Sequence, residues 1–303
     1  MVPLRGAGVG PLPGQQHFPG GQFFRPNAYC RHRALLVSHV SGANRTHCAA
    51  RGGAGACCLW YNPPVQADVQ KGERRVKSPE SNIEEKRQAA EAAAALVEDG
   101  MTVGLGSGST AELFVRALGQ RMVAGLRVQG VASSSRTARV AAEVGLPLIE
   151  LDRRLDLAVD GADAIERGTL NAIKGLGGAL TREKLVALAA DRFVLIGDRS
   201  KLVERLCDRQ AELPVPVEVL QFGWKITARR LEALGRPVLR MQANEPFITD
   251  NGNVILDLYA APLDRPNDLA TTLHALPGVI DHGLFLQMAQ CAFIATERLT
   301  VAR

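Results

Sequence analysis

An α/β fold is expected for this chain: a Rossmann-like parallel-sheet domain with an inserted small α+β (ferredoxin-like) lid domain. Three observations predict it. From about residue 81 to residue 197, short apolar runs alternate with segments of helical period, as parallel strands covered on both faces require. The pattern changes at Pro214-Val215-Pro216 to a β-α-β-β-α order. A last apolar segment, 291–296, is suited to return to the first sheet. The expected boundaries are 1–77 for an N-terminal extension, 78–212 completed by 285–303 for the parallel-sheet domain, and 213–284 for the lid.

Length and composition agree with that architecture. A chain of 303 residues has room for two domains, or for one with an insertion. Its 46% hydrophobic and 22% charged content is ordinary for a globular protein. The longest apolar runs fall far short of the roughly 18 residues of a membrane span, which sets aside an integral membrane protein. Six cysteines are too sparse for a disulfide scaffold. The net charge of +5 is unevenly spread: residues 1–76 hold nine Lys and Arg against two acids, and residues 77–303 hold 27 against 29. The basic character belongs to the tail, and a nucleic-acid partner loses its support.

That tail is rich in Gly, Pro and Arg and carries Cys30, Cys48, Cys57 and Cys58. It lacks the apolar surface that would offset its ordering entropy, so disorder or removal by processing is expected. Its longest apolar run, Ala34-Leu35-Leu36-Val37, is too short for a secretory signal core, and its Cys and His show no paired ligand spacing. Arg enrichment with few acids fits a transit peptide, whereas the scarcity of serine does not. A non-functional extension and an organellar address both stay open, with the cytoplasm as the expected location.

Order is expected from Ser81-Asn82-Ile83-Glu84, a capping box opening an Ala-rich helix to about Glu98, with Gly100 as its stop. Residues 101–105 read as a buried strand, followed by a helix near 109–121, a strand near 127–132 and a helix near 135–144. Strands near 147–151 and 155–159, a loop, a helix over about 178–190 and a strand at 192–197 come next. In the second unit a strand (215–220), a helix (222–234) and a strand (237–242) lead to a hairpin tipped by Asp250-Asn251-Gly252-Asn253. Asn-Gly is a strong hairpin signal because both central positions tolerate positive φ. A helix near 266–275 follows.

Four places could carry chemistry. Gly104-Leu105-Gly106-Ser107-Gly108-Ser109-Thr110 lies between a strand and a helix, where glycines let the backbone approach an anion and the helix presents free N–H groups. It is neither a Walker A loop nor a dinucleotide fingerprint, so it reads as a phosphate cup for a small molecule or as a tight turn. Asp160-Gly161-Ala162-Asp163 follows an apolar strand, at the carboxyl end where open α/β sheets bind ligands; it suits hydroxyl recognition or proton traffic, and equally a polar turn. Lys174-Gly175-Leu176-Gly177-Gly178 can place an ammonium beside oxyanion charge, and Glu183 can be a general base or a first-turn Glu favoured by the helix dipole. Lys201, after Gly197-Asp198-Arg199-Ser200, is a further candidate or a solvated lysine. No His lies between residues 48 and 273 and the body cysteines are Cys207 and Cys291, which leaves no His-based triad and no recognisable metal cluster. Asp, Asp, Lys and Glu beside a phosphate cup favour proton transfer on a sugar phosphate.

Together these motifs resemble the ribose-5-phosphate isomerase A family. Gly-Leu-Gly-Ser-Gly-Ser-Thr-Ala, Ser-Ser-Ser, Asp-Gly-Ala-Asp, Lys-Gly-x-Gly-Gly-Ala-Leu-Thr-Arg-Glu-Lys and Asp-x-Ser-Lys occur in its order and spacing. The likeness spans about residues 82–298 and includes 213–219, 249–253 and 277–279. The resemblance implies interconversion of ribose 5-phosphate and ribulose 5-phosphate through an enediolate, in the non-oxidative pentose phosphate pathway. It also implies no cofactor, no metal and a homodimer or homotetramer. On matching positions, Glu183 would be the general base, and Asp160, Asp163 and Lys174 would contact sugar hydroxyls and carbonyl. Ser107, Gly108, Ser109 and Thr110 would bind the phosphate end, Lys86 would lie near it, and Lys201 would contact substrate. Gly161, Ala162, Gly175, Leu176 and Gly177 complete the expected binding set. The chain departs from the family at Ala164, usually Glu, at Leu176, usually Gly, and by a loop about one residue longer between Asp163 and Lys174. Leu176 is expected to add a side chain beside the sugar pocket. Two rivals share the architecture: an effector-binding domain of a regulator, and a coenzyme A transferase whose Glu would be a nucleophile.

Overall fold

The computed structural model describes residues 79–208 and 213–300, so the expectations for the N-terminal extension lie outside the described residues. Helix α1 (Pro79–Ala94) begins before the capping box, and Ser81 lies within its first turn rather than ahead of it. Proline opens a helix readily, having no N–H to leave unpaired and a φ that is already helical. The helix stops at Ala94 and not near Glu98. Leu96 N–H bonds to Ala93 and Val97 N–H to Ala94, and Arg121 closes the end by donating to the carbonyl oxygens of Ala94 and, at 2.8 Å, Val97.

Strand β1 (Thr102–Leu105), α2 (Ser109–Val123), β2 (Gln129–Ala132), α3 (Ser135–Glu143) and β3 (Leu157–Gly161) follow as their periods predict. The strand expected at 147–151 is a single bridge between Gly130 and Leu148, because Pro147 has no N–H to extend the ladder. The loop expected after Asp163 is a hairpin, β4 (Ala164–Glu166) and β5 (Ala172–Ile173), too short to show a strand period. Next come α4 (Leu180–Ala189), β6 (Phe193–Gly197), a 3-10 turn (Arg199–Lys201) and β7 (Leu202–Val203).

The second half holds β8 (Val215–Val219), α5 (Trp224–Leu231), β9 (Arg236–Leu239), β10 (Met241–Gln242), β11 (Glu245–Pro246), β12 (Val254–Tyr259), α6 (Pro266–His274), β13 (Val279–His282), β14 (Leu284–Phe285), β15 (Cys291–Ile294) and β16 (Glu297–Thr300). The two-residue turn with both φ values positive is Ala243-Asn244, between β10 and β11. At the expected Asn251-Gly252 tip only Gly252 is left-handed, at φ 78°, and Thr249 N–H bonds to Asn253 across a three-residue loop.

The large sheet runs β16-β15-β6-β3-β1-β2, parallel except for β16. Its strands are buried on both faces: Leu157 and Val159 of β3 pack with α1 and α2, and Ala158 packs with Val186 and Ala187 of α4. A second sheet runs β13-β8-β12-β9, antiparallel throughout, the ferredoxin-like order. Val215, Val217 and Val219 of β8 share its core with Leu231 of α5 and Leu273 of α6, so the alternation of a strand puts Glu218 on the other face. A third sheet, β14-β5-β4-β7, was not foreseen; β5 delivers Lys174, whose N–H bonds to Gly283 C=O at 2.9 Å.

Candidate active site

Three neighbouring strands of the large sheet, β6, β3 and β1, deliver their carboxyl ends to one place. A cavity of about 110 Å³ lies there, lined by Lys86, Ser107, Gly108, Ser109, Thr110, Gly161, Ala162, Asp163, Lys174, Gly175, Gly177, Glu183 and Lys201. Two residues of the expected set do not line it. Asp160 is buried behind the wall and acts through Lys174 and Ser107. Leu176 is 41% exposed, between Gly175 and Gly177 of the lining, and its backbone N–H and C=O are bonded to Asp163 and Arg240.

The 106–108 turn approaches β3 closely. A Cβ on Gly106 would stand 2.1 Å from the carboxyl carbon of Asp160, so only glycine fits beside that side chain. Ser107 N–H donates to Asp160 Oδ1 at 3.0 Å. Its hydroxyl is committed to a buried cluster with Ser133, Ser134 and Thr137, and Thr137 donates to Gly106 C=O at 2.8 Å. These bonds hold the turn rigid while Gly108, at φ 96°, opens α2 toward the cavity. At that helix terminus Lys86 donates to Ser109 Oγ at 3.1 Å. The ammonium of Lys201 has no partner among the described residues. A helix N-terminus with two lysines beside it suits a phosphate group.

The other part of the wall is an acid–lysine cluster. Lys174 is 2% exposed and donates to Gly161 C=O at 2.6 Å, with Asp160 Oδ2 at 3.0 Å and Glu183 Oε1 at 3.4 Å. Glu183 Oε2 is buried with no hydrogen-bond partner. Burial pushes the Glu183 carboxyl up to about 8; the Asp160 charge adds to the rise, Lys174 opposes it and Asp163 adds a little more. Burial also raises Asp160, against Lys174 and the Ser107 N–H. Burial works against the Lys174 ammonium, yet Asp160 and Glu183 outweigh it and hold the group above the usual lysine range. Asp160 has an ammonium on one oxygen and an N–H on the other, whereas Glu183 has the ammonium on one oxygen and no partner on the other.

Contacts from distant parts of the chain hold these groups. Asp163 Oδ2 accepts from Leu176 N–H at 2.9 Å, and Arg240, paired with Asp257, donates to the carbonyls of Gly175 and Leu176 at 2.8 and 2.9 Å. Phe247 covers Gly178, whose φ of 87° delays α4 until Leu180, two residues later than its period predicts. The Phe285 ring lies 5.4 Å from Lys174 Nζ. Arg240, Phe247, Phe285 and Thr137 escaped sequence reasoning because no local pattern marks them.

Residues 129–298 match the sequence model described as ribose 5-phosphate isomerase A (phosphoriboisomerase A). The chain belongs to the ribose 5-phosphate isomerase A family. Curated relatives agree: the ribose-5-phosphate isomerase A of Thermomicrobium roseum is 56% identical over 216 residues, covering 70% of this chain and 90% of that one. The protein of the same name from Gluconobacter oxydans is 47% identical over 216 residues, covering 70% and 92%. Among solved structures, a D-ribose-5-phosphate isomerase in complex with phospho-erythronic acid superposes with TM-score 0.69 at 37% identity, over 72% of this chain and 99% of that one. The ribose 5-phosphate isomerase A of Methanocaldococcus jannaschii gives 0.69 at 37% identity, over 74% and 100%. Residues 81–143 also match the DeoR C terminal sensor domain, a stretch that stops before Asp160, Lys174 and Glu183.

Against the usual family pattern, Ala164 lies 1% exposed in β4, packed with Ile173 and Val203, and does not line the cavity. Among the described residues, one potential ligand group appears that spacing does not show: ligand atoms of His274, Asp281 and His282 lie within 4.8 Å of one another. The ammonium of Lys184 already occupies that corner, donating to Asp281 Oδ1 and to His282 C=O at 2.5 Å each.

Proposed function

We propose that this chain is an aldose-ketose isomerase that interconverts D-ribose 5-phosphate and D-ribulose 5-phosphate. The observation that carries the reading is Glu183, a buried carboxylate with one free oxygen, 3.4 Å from a lysine ammonium in a cavity that also holds a phosphate-type cup. With the phosphate on the α2 terminus between Lys86 and Lys201, the C1–C2 end of the open-chain sugar lies against Lys174 and Glu183. Ionised Glu183 takes the proton from C2 as the electron pair moves onto the carbonyl oxygen at C1. Returning the proton to C1, with hydroxyl protons redistributed between O1 and O2, completes the ketose. Hydrogen lost at one carbon is gained at its neighbour, so the reaction balances within the sugar. Lys174 offsets the enediolate charge, Asp160 steadies Lys174, and Asp163 keeps one carboxylate oxygen for a sugar hydroxyl. The phospho-erythronic acid held by a relative supports the reading, since its carboxylate has the planar two-oxygen shape of an enediolate.

The test is conversion of ribose 5-phosphate in buffered D2O with EDTA, followed by proton NMR. Ribulose 5-phosphate is expected, with deuterium at C1 in proportion to the exchange of the Glu183 proton with solvent before it is returned, and a folded protein that converts nothing would overturn the reading. In the free enzyme, kcat/KM should rise about tenfold per pH unit below 8 and level off above it, because only ionised Glu183 is a base. A flat profile from pH 6 to 9 would remove Glu183 from that role. Lys201→Ala should raise KM by about tenfold and leave kcat within about threefold, the mark of a contact made equally in ground and transition states. The unit at 213–284 is read as a lid, since Arg240 and Phe247 reach from it to the 175–178 loop. A homodimer or homotetramer in the cytoplasm is part of the same proposal, to be checked by light scattering and cell fractionation.

A further inference from the structure

Two motifs have no role in the reaction just described, the segment 213–219 and the turn 249–253, and they meet at Glu218. This side chain is completely buried, on the face of β8 that points away from the small sheet's own core. Its two oxygens join two different parts of the molecule, with Asn251 Nδ2 also reaching Oε2 at 3.4 Å. Oε1 accepts from Thr249 Oγ1 at 2.8 Å, Asn253 Nδ2 at 2.9 Å and Asn251 Nδ2 at 3.1 Å, all in the hairpin turn. Oε2 accepts from Thr181 Oγ1 at 2.5 Å, in the first turn of α4 and two residues before Glu183. All four donors are neutral. A carboxylate suits this place because it offers acceptors on both oxygens and no donor.

The turn reinforces the same connection from its other side. Arg182, between Thr181 and Glu183, donates to Asn251 Oδ1 at 2.7 Å and to Asp250 C=O at 2.6 Å. Asp250 in turn accepts from Ser135 N–H at 2.8 Å, at the start of α3. Two consecutive residues of α4 are therefore tied to one turn, which fixes the rotation of the helix about its axis. Helical geometry then decides where the next residue points.

We propose that Glu218 is a positioning residue: it clamps the first turn of α4 to the 249–253 turn and thereby aims Glu183 at Lys174. The inference rests on Glu183 being the base of the proposed isomerisation. A small displacement of a reacting group costs up to about a hundredfold in rate.

Thr181→Val tests the Oε2 side without disturbing β8, and Glu218→Gln tests the hub. Both should fold, with kcat lowered by about 10- to 100-fold and KM within about threefold, and the rise of kcat/KM should move along the pH axis. Thr181→Ser, which restores the hydroxyl, should recover most of kcat. A second readout needs no substrate: the titration of Glu183 by carbon-13 carboxyl NMR in the full-length wild type and in Thr181→Val. A displaced Glu183 titration supports the clamp even if the wild type fails to isomerise ribose 5-phosphate, which would count against the function alone. Folded Thr181→Val with kcat within twofold of wild type, or with an unmoved Glu183 titration, overturns the proposal. Should Glu218→Gln fail to fold, the Thr181 pair decides.

Discussion

Glu183→Gln should lower kcat by about 100-fold or more with little change in KM, and the residual rate should no longer depend on pH around 8. Glutamine keeps the volume and one hydrogen-bonding oxygen near Lys174 but cannot take a proton from carbon. Steady-state kinetics from pH 6 to 9 would check this, and activity within tenfold of wild type would refute the role. The same variant carries an opposite prediction for stability. An exposed glutamate has an ordinary value of 4.5 and the folded protein raises it to about 8, so the folded state holds the proton more tightly. Stability from this group is complete below about 4.5 and is lost as pH climbs through about 8. Glutamine never ionises. Thermal melts should therefore show Glu183→Gln close to wild type at pH 5 and more stable at pH 9, and an equal difference at both values would contradict the burial argument.

Lys174→Met should be still more damaging, with kcat reduced by about 1000-fold or more. The substitution retains a stem of similar length and removes the charge that faces Asp160 at 3.0 Å and Glu183 at 3.4 Å. Two consequences act together. The enediolate loses its counter-cation, and the two carboxyls, left buried without an opposing charge, hold protons to higher pH, which withdraws the base. Removing one partner of a buried pair costs about 3–5 kcal/mol at neutral pH. That cost should shrink as the pH falls, because a protonated carboxyl needs no ammonium. Kinetics and melting curves at pH 5 and 8 test both halves. A variant that retains a tenth of wild-type kcat would make Lys174 a structural residue only.

Much of the site was legible because it is local. Gly106 and Gly108 mark a turn where the backbone comes close to Asp160 and then takes a φ of 96°, and glycine is the residue that both demand. Lys174 and Glu183 lie nine positions apart, on one loop and the helix it feeds, so their proximity follows from short-range chain geometry. Asp160 and Asp163 stand at the carboxyl end of β3, where a parallel sheet exposes its ligands. Leu176 shows the limit of the same reasoning. Its place in the motif suggests a side chain beside the sugar pocket, and spacing alone does not show that its N–H bonds to Asp163 and its C=O accepts from Arg240 while the side chain stays 41% exposed.

By itself, the sequence determined the alternation of strands and helices, the phosphate-type turn, and the identities of the acids and lysines, since these depend on period, glycine and neighbours a few residues away. Only the tertiary structure decided how those groups behave. Arg240 reaches Gly175 across 65 positions, and Glu218 meets Thr181 across 37. Strands of two or three residues such as β4 and β5 carry no period to read, and the turn at Asn251-Gly252 takes its form while tied to Arg182 and Glu218. The proton affinity of Glu183 is the clearest case. Its value near 8 comes from water removed by packing and from charges carried in on other strands, and neither exists until the chain has folded.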